Sequence, residues 1–319
     1  MFDCHYDLLT YILMKTVDKE FLKNYCSKVY NKNNITGGIF NLFYMSKEEM
    51  KNEIGIMENQ IDVIENLREV KQYIEENQLI SDDIDYIFGI EGMDYLEKIE
   101  DIEILYSLGL SSTNIVWNNE NKFGGGAKAK EDCGLTELGR KLVEKLIKKK
   151  IAIDLSHANE RTFWDIVQIG KKYKEEGENP IVFASHSNAK SICDVPRNLS
   201  DEQILAIKEL DGVIGIVSIK RFCVNTNDIC NPNIDYEQEY IKHINYVKKL
   251  LGGVEHIAVA TDDMRYYYIK PEYYQNANVY NHYDIKEKLS KNLERNNYNK
   301  DEIEKILNKN FREKILKRI

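Results

Sequence analysis

The feature that most constrains this chain is a succession of eight short apolar runs, most of them followed by a segment with helical spacing of apolar residues. Continuous apolar runs are typical of strands buried on both faces of a parallel sheet. Parallel neighbours need a crossover connection, which the helices supply. The predicted strands are Phe2–Leu9, Ile35–Tyr44, Asp85–Glu91, Thr113–Asn118, Ile151–His157, Pro180–His186, Gly212–Ile219 and His256–Asp262.

Eight such units predict an α/β fold, a (β/α)8 TIM barrel, with residues 1–319 forming a single domain with extra C-terminal helices. Such barrels usually take about 250 residues, so insertions are expected. A doubly wound open sheet is the alternative, although it seldom contains eight evenly spaced units. The predicted helices are Thr16–Asn31, Ser46–Asn77, Met93–Leu108, Thr136–Lys150, Arg161–Glu175, Ser200–Glu209 and Tyr236–Leu251, with a charged helical segment at Lys286–Arg318.

Charge and composition narrow the class of protein. The net charge of −9 argues against general nucleic-acid binding, because no basic excess is present to neutralise phosphates. No apolar run reaches membrane-spanning length, and no signal peptide is expected because His5 nearly follows the first residue. Six scattered cysteines without C-x-x-C spacing are expected to be reduced thiols. We therefore expect a cytoplasmic protein without nucleic-acid or membrane partners.

Polar residues interrupt the apolar pattern where the predicted strands end. The active sites of TIM barrels lie at the carboxyl ends of the strands, so these side chains are expected to converge. Taken alone, each has an ordinary explanation as a core or surface group. Together, histidines and carboxylates are typical ligands of a divalent metal. The residues are His5, Asp7, Glu91, Trp117, Asn118, His157, His186 and Asp262.

The number of candidate ligands indicates more than one ion. Three histidines and two carboxylates exceed the three protein ligands of a catalytic zinc. Two ions that share a carboxylate fit better, and Glu91 is the natural bridge because its strand lies between the two ligand groups. One metal with further groups orienting its ligands remains the alternative.

Short motifs in a fixed order along the chain carry a family resemblance. The chain resembles the membrane dipeptidase (renal dipeptidase) family of binuclear zinc peptidases, a branch of the amidohydrolase-type barrels. Each motif is weak by itself, but together they cover essentially the whole chain. The motifs are Asp3–Leu8, Ile90–Gly92, Ile153–Ala158, Ala184–Ala189, Pro196–Asp201, His256–Asp262 and Ile306–Arg312.

The resemblance implies a site with two zinc ions. His5 and Asp7 would bind one ion, His157 and His186 the other, and Glu91 would bridge them. A metal-activated hydroxide would then hydrolyse the peptide bond of a dipeptide with a free C-terminal carboxylate, L,D pairs included. The family also implies a homodimer.

Two further residues receive roles from the resemblance. Asp262 would take the proton from the nucleophile and pass it to the leaving amine. Arg197 would bind the C-terminal carboxylate, for which a planar guanidinium is suited. Without the motif order, a loop charge and a capping residue would be the simpler interpretations.

The chain departs from the family pattern in two places. Trp117 stands where many members carry a histidine that polarises the substrate carbonyl, so either Asn118 or the zinc ions would take over, or activity is reduced or redirected. Trp117 could equally only line the barrel mouth. After Asp262 the chain continues with Asp263 and the tyrosines Tyr266–Tyr268, which could line an altered substrate pocket or form a dimer contact.

These departures keep two other functions open. One is a different metal-dependent amidohydrolase that acts on a modified amino acid or a small amide. The other is a catalytically silent barrel, although such a protein would have no physical reason to retain the full set of ligands. The remaining histidines, His243, His256 and His282, are predicted to be structural or solvent-exposed.

Overall fold

Strands and helices alternate along the chain in the computed structural model, which describes residues 1–14, 17–30, 35–44, 61–263 and 276–319. This alternation confirms the predicted α/β class. The strands in these ranges are β1 (Phe2–Tyr6), β2 (Gly37–Phe43), β3 (Asp85–Glu91), β4 (Leu110–Asn114), β5 (Ala152–Asp154), β6 (Val182–Phe183), β7 (Ile214–Val217) and β8 (Ile257–Ala260).

The strands form a curled parallel sheet. β1 to β6 pair in chain order in one six-stranded sheet, and β7 pairs with β8. Just after β6, Ala184 forms a parallel bridge with Ile214 of β7. On the other side, the backbone N–H of Asp262 donates to the carbonyl of His5 at 3.1 Å. The β7–β8 pair therefore contacts both edges of the six-stranded sheet.

An apolar cluster fills the inner face of the sheet, separate from the larger cluster between the sheet and the helices. The C-terminal helix Asn310–Lys314 contributes Phe311, whose ring stacks on Phe2 at a centroid distance of 4.4 Å. The core therefore continues beneath the amino ends of the strands, leaving their carboxyl ends for polar groups. The strand residues of the inner cluster include Phe2, Cys4, Ile39, Ile87, Ala152, Phe183, Val217 and Ala258.

Helices cover the outer face, and side-chain caps fix several of their starts. Thr136, Asn159 and Ser200 each accept a hydrogen bond from a backbone N–H of the first turn, which replaces a missing helical partner. The helices are Leu8–Leu13, Lys19–Val29, Val63–Glu76, Ile102–Ser107, Glu137–Lys148, Glu160–Glu175, Asp201–Glu209, Lys220–Cys223, Tyr236–Leu251, Ile285–Arg295, Lys300–Glu304 and Asn310–Lys314, with a π turn at Lys305–Lys309 and 3-10 turns at Ile99–Asp101 and Leu316–Arg318.

The structure differs from the prediction in two elements near the amino terminus. The first strand stops at Tyr6 rather than Leu9, since Asp7 leaves the extended conformation and precedes a helix. Within the helix predicted at Ser46–Asn77, Asp62 is extended and its carboxylate accepts two N–H groups of the first turn of a helix that begins at Val63, so the predicted helix is not continuous there. Residues 45–60, which include the predicted cap, lie outside the described residues.

The boundaries of the following elements also differ from the prediction. The fourth strand is Leu110–Asn114 rather than Thr113–Asn118, because Gly109, with φ +106, turns the chain into the strand early. Trp117 and Asn118 consequently lie in the loop that follows. The helix predicted at Met93–Leu108 is reduced to a 3-10 turn and Ile102–Ser107.

The remaining predicted elements are shortened or interrupted. The fifth to eighth strands lose one or more residues at each end, where loops that carry polar groups begin. The C-terminal helical segment breaks at Asn297, whose φ of +64 is incompatible with a continuous helix. None of the described helices is both long enough and apolar enough to cross a bilayer.

Candidate metal centre

The candidate ligands lie together at the carboxyl end of the sheet. His5 lies on β1 and Glu91 ends β3, while His157 and His186 follow β5 and β6. All four side chains are buried. His157 has φ +73, an uncommon conformation for a residue with a side chain, and it occurs where the chain turns its ring into the centre.

Three imidazole rings surround one carboxylate oxygen. Glu91 Oε1 lies 2.7 Å from Nε2 of His157, 3.3 Å from Nε2 of His186 and 3.6 Å from Nε2 of His5. The Nε2 atoms of His157 and His186 are themselves only 2.9 Å apart. Glu91 Oε1 therefore lies among the three histidines, and its role as a bridge between two ions stays a prediction.

Two carboxylates complete a second group around His5. Asp7 Oδ1 lies 3.5 Å from Nε2 of His5. The ligand atoms of His5, Asp7 and Asp262 all lie within 4.8 Å of one another, as do those of His5, Glu91 and His186. Two overlapping clusters that share His5 are thus present among the described residues.

Hydrogen bonds behind the imidazoles set which nitrogen carries the proton. Ser185 Oγ donates to Asp154 Oδ2 at 2.5 Å, so it can only accept from His186 Nδ1, which is 2.5 Å away. His157 Nδ1 donates to Asn118 Oδ1 at 3.1 Å. Both neutral rings consequently direct an Nε2 lone pair at Glu91.

These lone pairs fit a metal ion. Imidazole lone pairs that face a carboxylate repel it unless a proton or a cation lies between them. Nε2 of His5 is also buried and makes no hydrogen bond with the described residues. Imidazole nitrogen and carboxylate oxygen are the usual zinc donors outside thiolate sites. The donor set and its orientation therefore suit a divalent cation.

Burial dominates the electrostatics of the site. Burial, reinforced by nearby Arg197, holds the pKa values of His157 and His186 well below the ordinary value, which keeps both rings neutral. Desolvation raises the pKa of Glu91 to about 7 and that of Asp262 to about 6. Burial would lower the pKa of His5, but the neighbouring carboxylates outweigh it and the net shift is upward.

A cleft of about 490 Å³ opens over the ligands, lined in part by Asp7, Glu91, His157 and Asp262. Arg197 lines the same cleft, and its side chain is buried beside the ligands. Burial lowers the pKa of Arg197 to about 10, and the negative charges of Glu91 and Asp262 act in the opposite direction.

The two residues predicted after the fourth strand occupy the cleft wall. Trp117 lies between Phe43 and His157, with ring centroids 4.8 and 5.8 Å away. Asn118 lines the cleft but its amide oxygen is bonded to His157, so it orients that ring. The tyrosines predicted after Asp262, at positions 266–268, lie outside the described residues.

Sequence reasoning overlooked the residues that orient the histidines. Asp154 accepts hydrogen bonds from the backbone N–H groups of Ser156 and Ser185 and from the hydroxyl of Ser185. The available signal was an aspartate within an apolar run, two residues before a polar strand end. The same spacing occurs at Asp3 and His5.

Comparison with known proteins identifies the family. The family model described as membrane dipeptidase (peptidase family M19) matches residues 1–318. The chain belongs to the membrane dipeptidase family. This confirms the resemblance inferred from the sequence motifs.

The alignments with curated relatives cover only part of this chain and part of each relative. Uncharacterized proteins of Acinetobacter calcoaceticus and Klebsiella pneumoniae are 36% and 31% identical over 137 and 185 residues. These alignments cover 41% and 56% of this chain, and 41% and 63% of the relatives. The chain therefore spans about half the length of the curated relatives that it matches.

A solved structure supports the fold over nearly the whole chain. The metallo peptidase of Rhodobacter sphaeroides, crystallised with a phosphinate mimic of L-Ala-D-Ala, superposes with a TM-score of 0.72 at 19% identity. The superposition covers 97% of this chain and 96% of that one. The α/β architecture of this member of the membrane dipeptidase family is thus shared with a structure of low sequence identity.

Proposed function

We propose that this protein is a binuclear zinc dipeptidase that hydrolyses dipeptides with a free C-terminal carboxylate, L,D pairs among them. The observation that carries the proposal is the convergence of three imidazole Nε2 atoms on Glu91 in a cleft that also contains Arg197 and Asp262. Bound zinc would supply Lewis acidity toward the peptide carbonyl and lower the pKa of a water molecule.

The ligands divide into two sets around the bridge. His5 and Asp7 would hold one ion, His157 and His186 the other, with Glu91 shared between them. Ser185 and Asn118 would orient the two histidines of the second set, because they bond to the Nδ1 atoms of His186 and His157. Mononuclear binding remains the alternative that metal analysis would distinguish.

Asp262 and Arg197 would act on the substrate. The raised pKa of Asp262, about 6, suits a carboxylate that accepts a proton from water and returns it to the leaving amine near neutral pH. The guanidinium of Arg197 would hold the C-terminal carboxylate and so place the peptide carbonyl over the ligands. Trp117 and Asn118 would form the cleft wall against the substrate.

We further propose that residues 1–319 form one closed (β/α)8 barrel domain, which the family match over residues 1–318 and the contacts of β7–β8 with both sheet edges support. A homodimer and a cytoplasmic location remain predictions from the sequence.

Hydrolysis of a dipeptide panel by zinc-loaded protein tests the proposal. The panel contains L,L and L,D pairs as free acids, together with the same peptides amidated at the C-terminus. We expect cleavage of the free acids, little cleavage of the amides, and loss of cleavage in Asp262→Asn. Arg197→Lys should raise KM for the free acids, because an ammonium cannot form the paired hydrogen bonds of a guanidinium.

The outcomes separate the alternatives. Two bound metals without turnover of any dipeptide would exclude the dipeptidase and favour an amidohydrolase of different specificity, for which Trp117 in the cleft wall is the supporting observation. Failure to bind metal at all would favour a catalytically silent barrel.

A further inference from the structure

The cleft contains more positive charge than an ordinary dipeptide requires. Lys128 and Arg221 line it together with Arg197. Neither of the two residues was assigned a role by the sequence motifs. The charges of Arg221 and Arg197 add to burial in lowering the pKa of Lys128, so the three cations are close enough to interact.

The negative charges of the same cleft are already engaged. Among the described lining residues, the acidic groups are Asp7, Glu91 and Asp262, and all three belong to the candidate metal and proton-transfer groups. Two divalent ions bound there would offset the charges of these carboxylates. The open part of the cleft would then carry a positive potential, which favours an anionic ligand.

The two arginines are arranged around one aromatic ring. The guanidinium carbons of Arg197 and Arg221 lie 5.6 and 5.1 Å from the ring centroid of Phe222. Arg197 is buried within the cleft, whereas Arg221 and Lys128 are exposed at its rim. A ligand whose carboxylate reached Arg197 would therefore place its nearby groups toward the two rim cations.

We propose that the cleft selects dipeptides whose C-terminal residue has an acidic side chain. Arg197 would bind the α-carboxylate, and Arg221 and Lys128 would attract the side-chain carboxylate. The two carboxylates of aspartate or glutamate are joined through a few bonds of one residue, which matches the two guanidiniums that lie against the Phe222 ring. This inference rests on the proposed dipeptidase function.

The test compares isosteric peptides. kcat/KM is measured on zinc-loaded protein for Ala–Glu against Ala–Gln and for Ala–Asp against Ala–Asn, all as free acids. We expect the acidic peptide to be preferred by about tenfold, through KM rather than kcat. Raising the ionic strength should reduce this preference, because the rim cations are exposed to solvent.

Variants assign the preference to the rim cations. Arg221→Gln and Lys128→Gln should each reduce the ratio of Ala–Glu to Ala–Gln by about threefold or more. Two matched controls, Lys130→Gln and Arg161→Gln, remove exposed cations that do not line the cleft and should preserve the ratio. Calorimetry on Asp262→Asn provides a readout without turnover, in which Ala–Glu should bind more tightly than Ala–Gln.

Three results would overturn the inference. Equal kcat/KM for the acidic and amide peptides would do so while leaving the dipeptidase intact, as would an equal loss for both peptides in Arg221→Gln. A preference for Glu–Ala over Gln–Ala, without a preference for Ala–Glu over Ala–Gln, would show that the cleft recognises an acidic side chain on the N-terminal residue instead of the C-terminal one. No hydrolysis of any peptide would exclude the dipeptidase and this specificity together.

Discussion

Two junctions of the sheet contain the same hydrogen-bond arrangement, yet only in one of them does the histidine bonded to the hydroxyl face the cleft. Where β5 meets β6, Asp154 Oδ1 accepts the N–H groups of Ser156 and Ser185 at 2.9 and 2.8 Å, and Oδ2 accepts the Ser185 hydroxyl at 2.5 Å. That hydroxyl accepts from Nδ1 of His186. We call this set of residues the β5–β6 relay.

The junction of β8 and β1 repeats the arrangement. Asp3 Oδ1 accepts the N–H groups of His5 and Thr261 at 3.2 and 2.8 Å, and Oδ2 accepts the Thr261 hydroxyl at 2.5 Å. The Thr261 hydroxyl lies 2.7 Å from Nε2 of His282. We call this set the β8–β1 relay.

His186 and His282 differ in what their second ring nitrogen contacts. Nε2 of His186 faces Glu91 in the cleft, whereas Nδ1 of His282 contacts the hydroxyl of Tyr25, and the ring packs edge-on against Tyr6. A histidine held by a hydroxyl and an aspartate is therefore not itself a sign of metal binding. The contact of the second ring nitrogen decides whether the histidine is available as a ligand or only stabilises the fold.

The largest expected effect follows from His186→Asn, which removes a candidate ligand from the β5–β6 relay. We expect kcat/KM to fall by about 1,000-fold, equivalent to about 4 kcal/mol, because one ion would be lost. Dipeptide hydrolysis and zinc content measure this, and urea unfolding checks that the fold persists. Activity above a tenth of wild type would contradict the assignment.

His282→Gln, the matched change in the β8–β1 relay, should mainly affect stability. Asp3 would keep its charge but lose a buried partner, and we expect the free energy of unfolding to fall by about 3 kcal/mol. Zinc stoichiometry should stay at the wild-type value. Loss of an ion without destabilisation would show that the two relays do not differ as described.

Asp154→Asn tests the relay itself. An amide nitrogen in place of Oδ2 cannot accept from Ser185, so the hydroxyl would turn to donate to Nδ1 of His186 and move the ring proton to Nε2. We expect zinc affinity to fall by about 10- to 100-fold, measured by competition with a chelator. Asp154→Glu serves as the control that retains the charge, and unchanged affinity in the asparagine variant would argue against the relay.

His243 provides the smallest effect and a contrast with both relays, since backbone groups occupy its two nitrogens. Ala189 N–H donates to Nδ1 at 3.1 Å, and Nε2 donates to the carbonyl of Cys223 at 2.9 Å. Burial lowers its pKa to about 4. The unfolded chain would bind a proton near pH 6.5, so stability present above that pH is lost as pH falls toward 4.

Between pH 7 and pH 5 we expect His243 to contribute a loss of about 2 kcal/mol to the free energy of unfolding. Urea unfolding of wild type and His243→Gln at both pH values measures the difference in slope. Identical slopes would show that protonation of this ring is not coupled to unfolding.

The sequence predicted the order of the strands because their apolar runs reflect burial on both faces, a property of each segment by itself. It predicted Glu91, His157 and His186 because residue type and position at a strand end are also local. Boundaries were less predictable, since Asp62 begins a helix and Asp7 follows the end of a strand at positions that the apolar pattern does not mark.

Contacts between distant segments could not be predicted. Asp154 reaches a serine 31 residues away, and Asp3 reaches His282 across 279 residues. No spacing rule links such positions, so His282 carried the same signal as any loop histidine. The sequence also did not distinguish Lys128 and Arg221 from other cations, because only the folded chain brings them to the cleft that Arg197 lines.

Zinc content per chain, measured by mass spectrometry after loading and exhaustive dialysis, tests the central claim most directly. We expect two equivalents in the wild type and in His282→Gln, and fewer in His186→Asn. One equivalent or none in the wild type would contradict the binuclear centre. Equal losses in the two histidine variants would contradict the distinction between the relays.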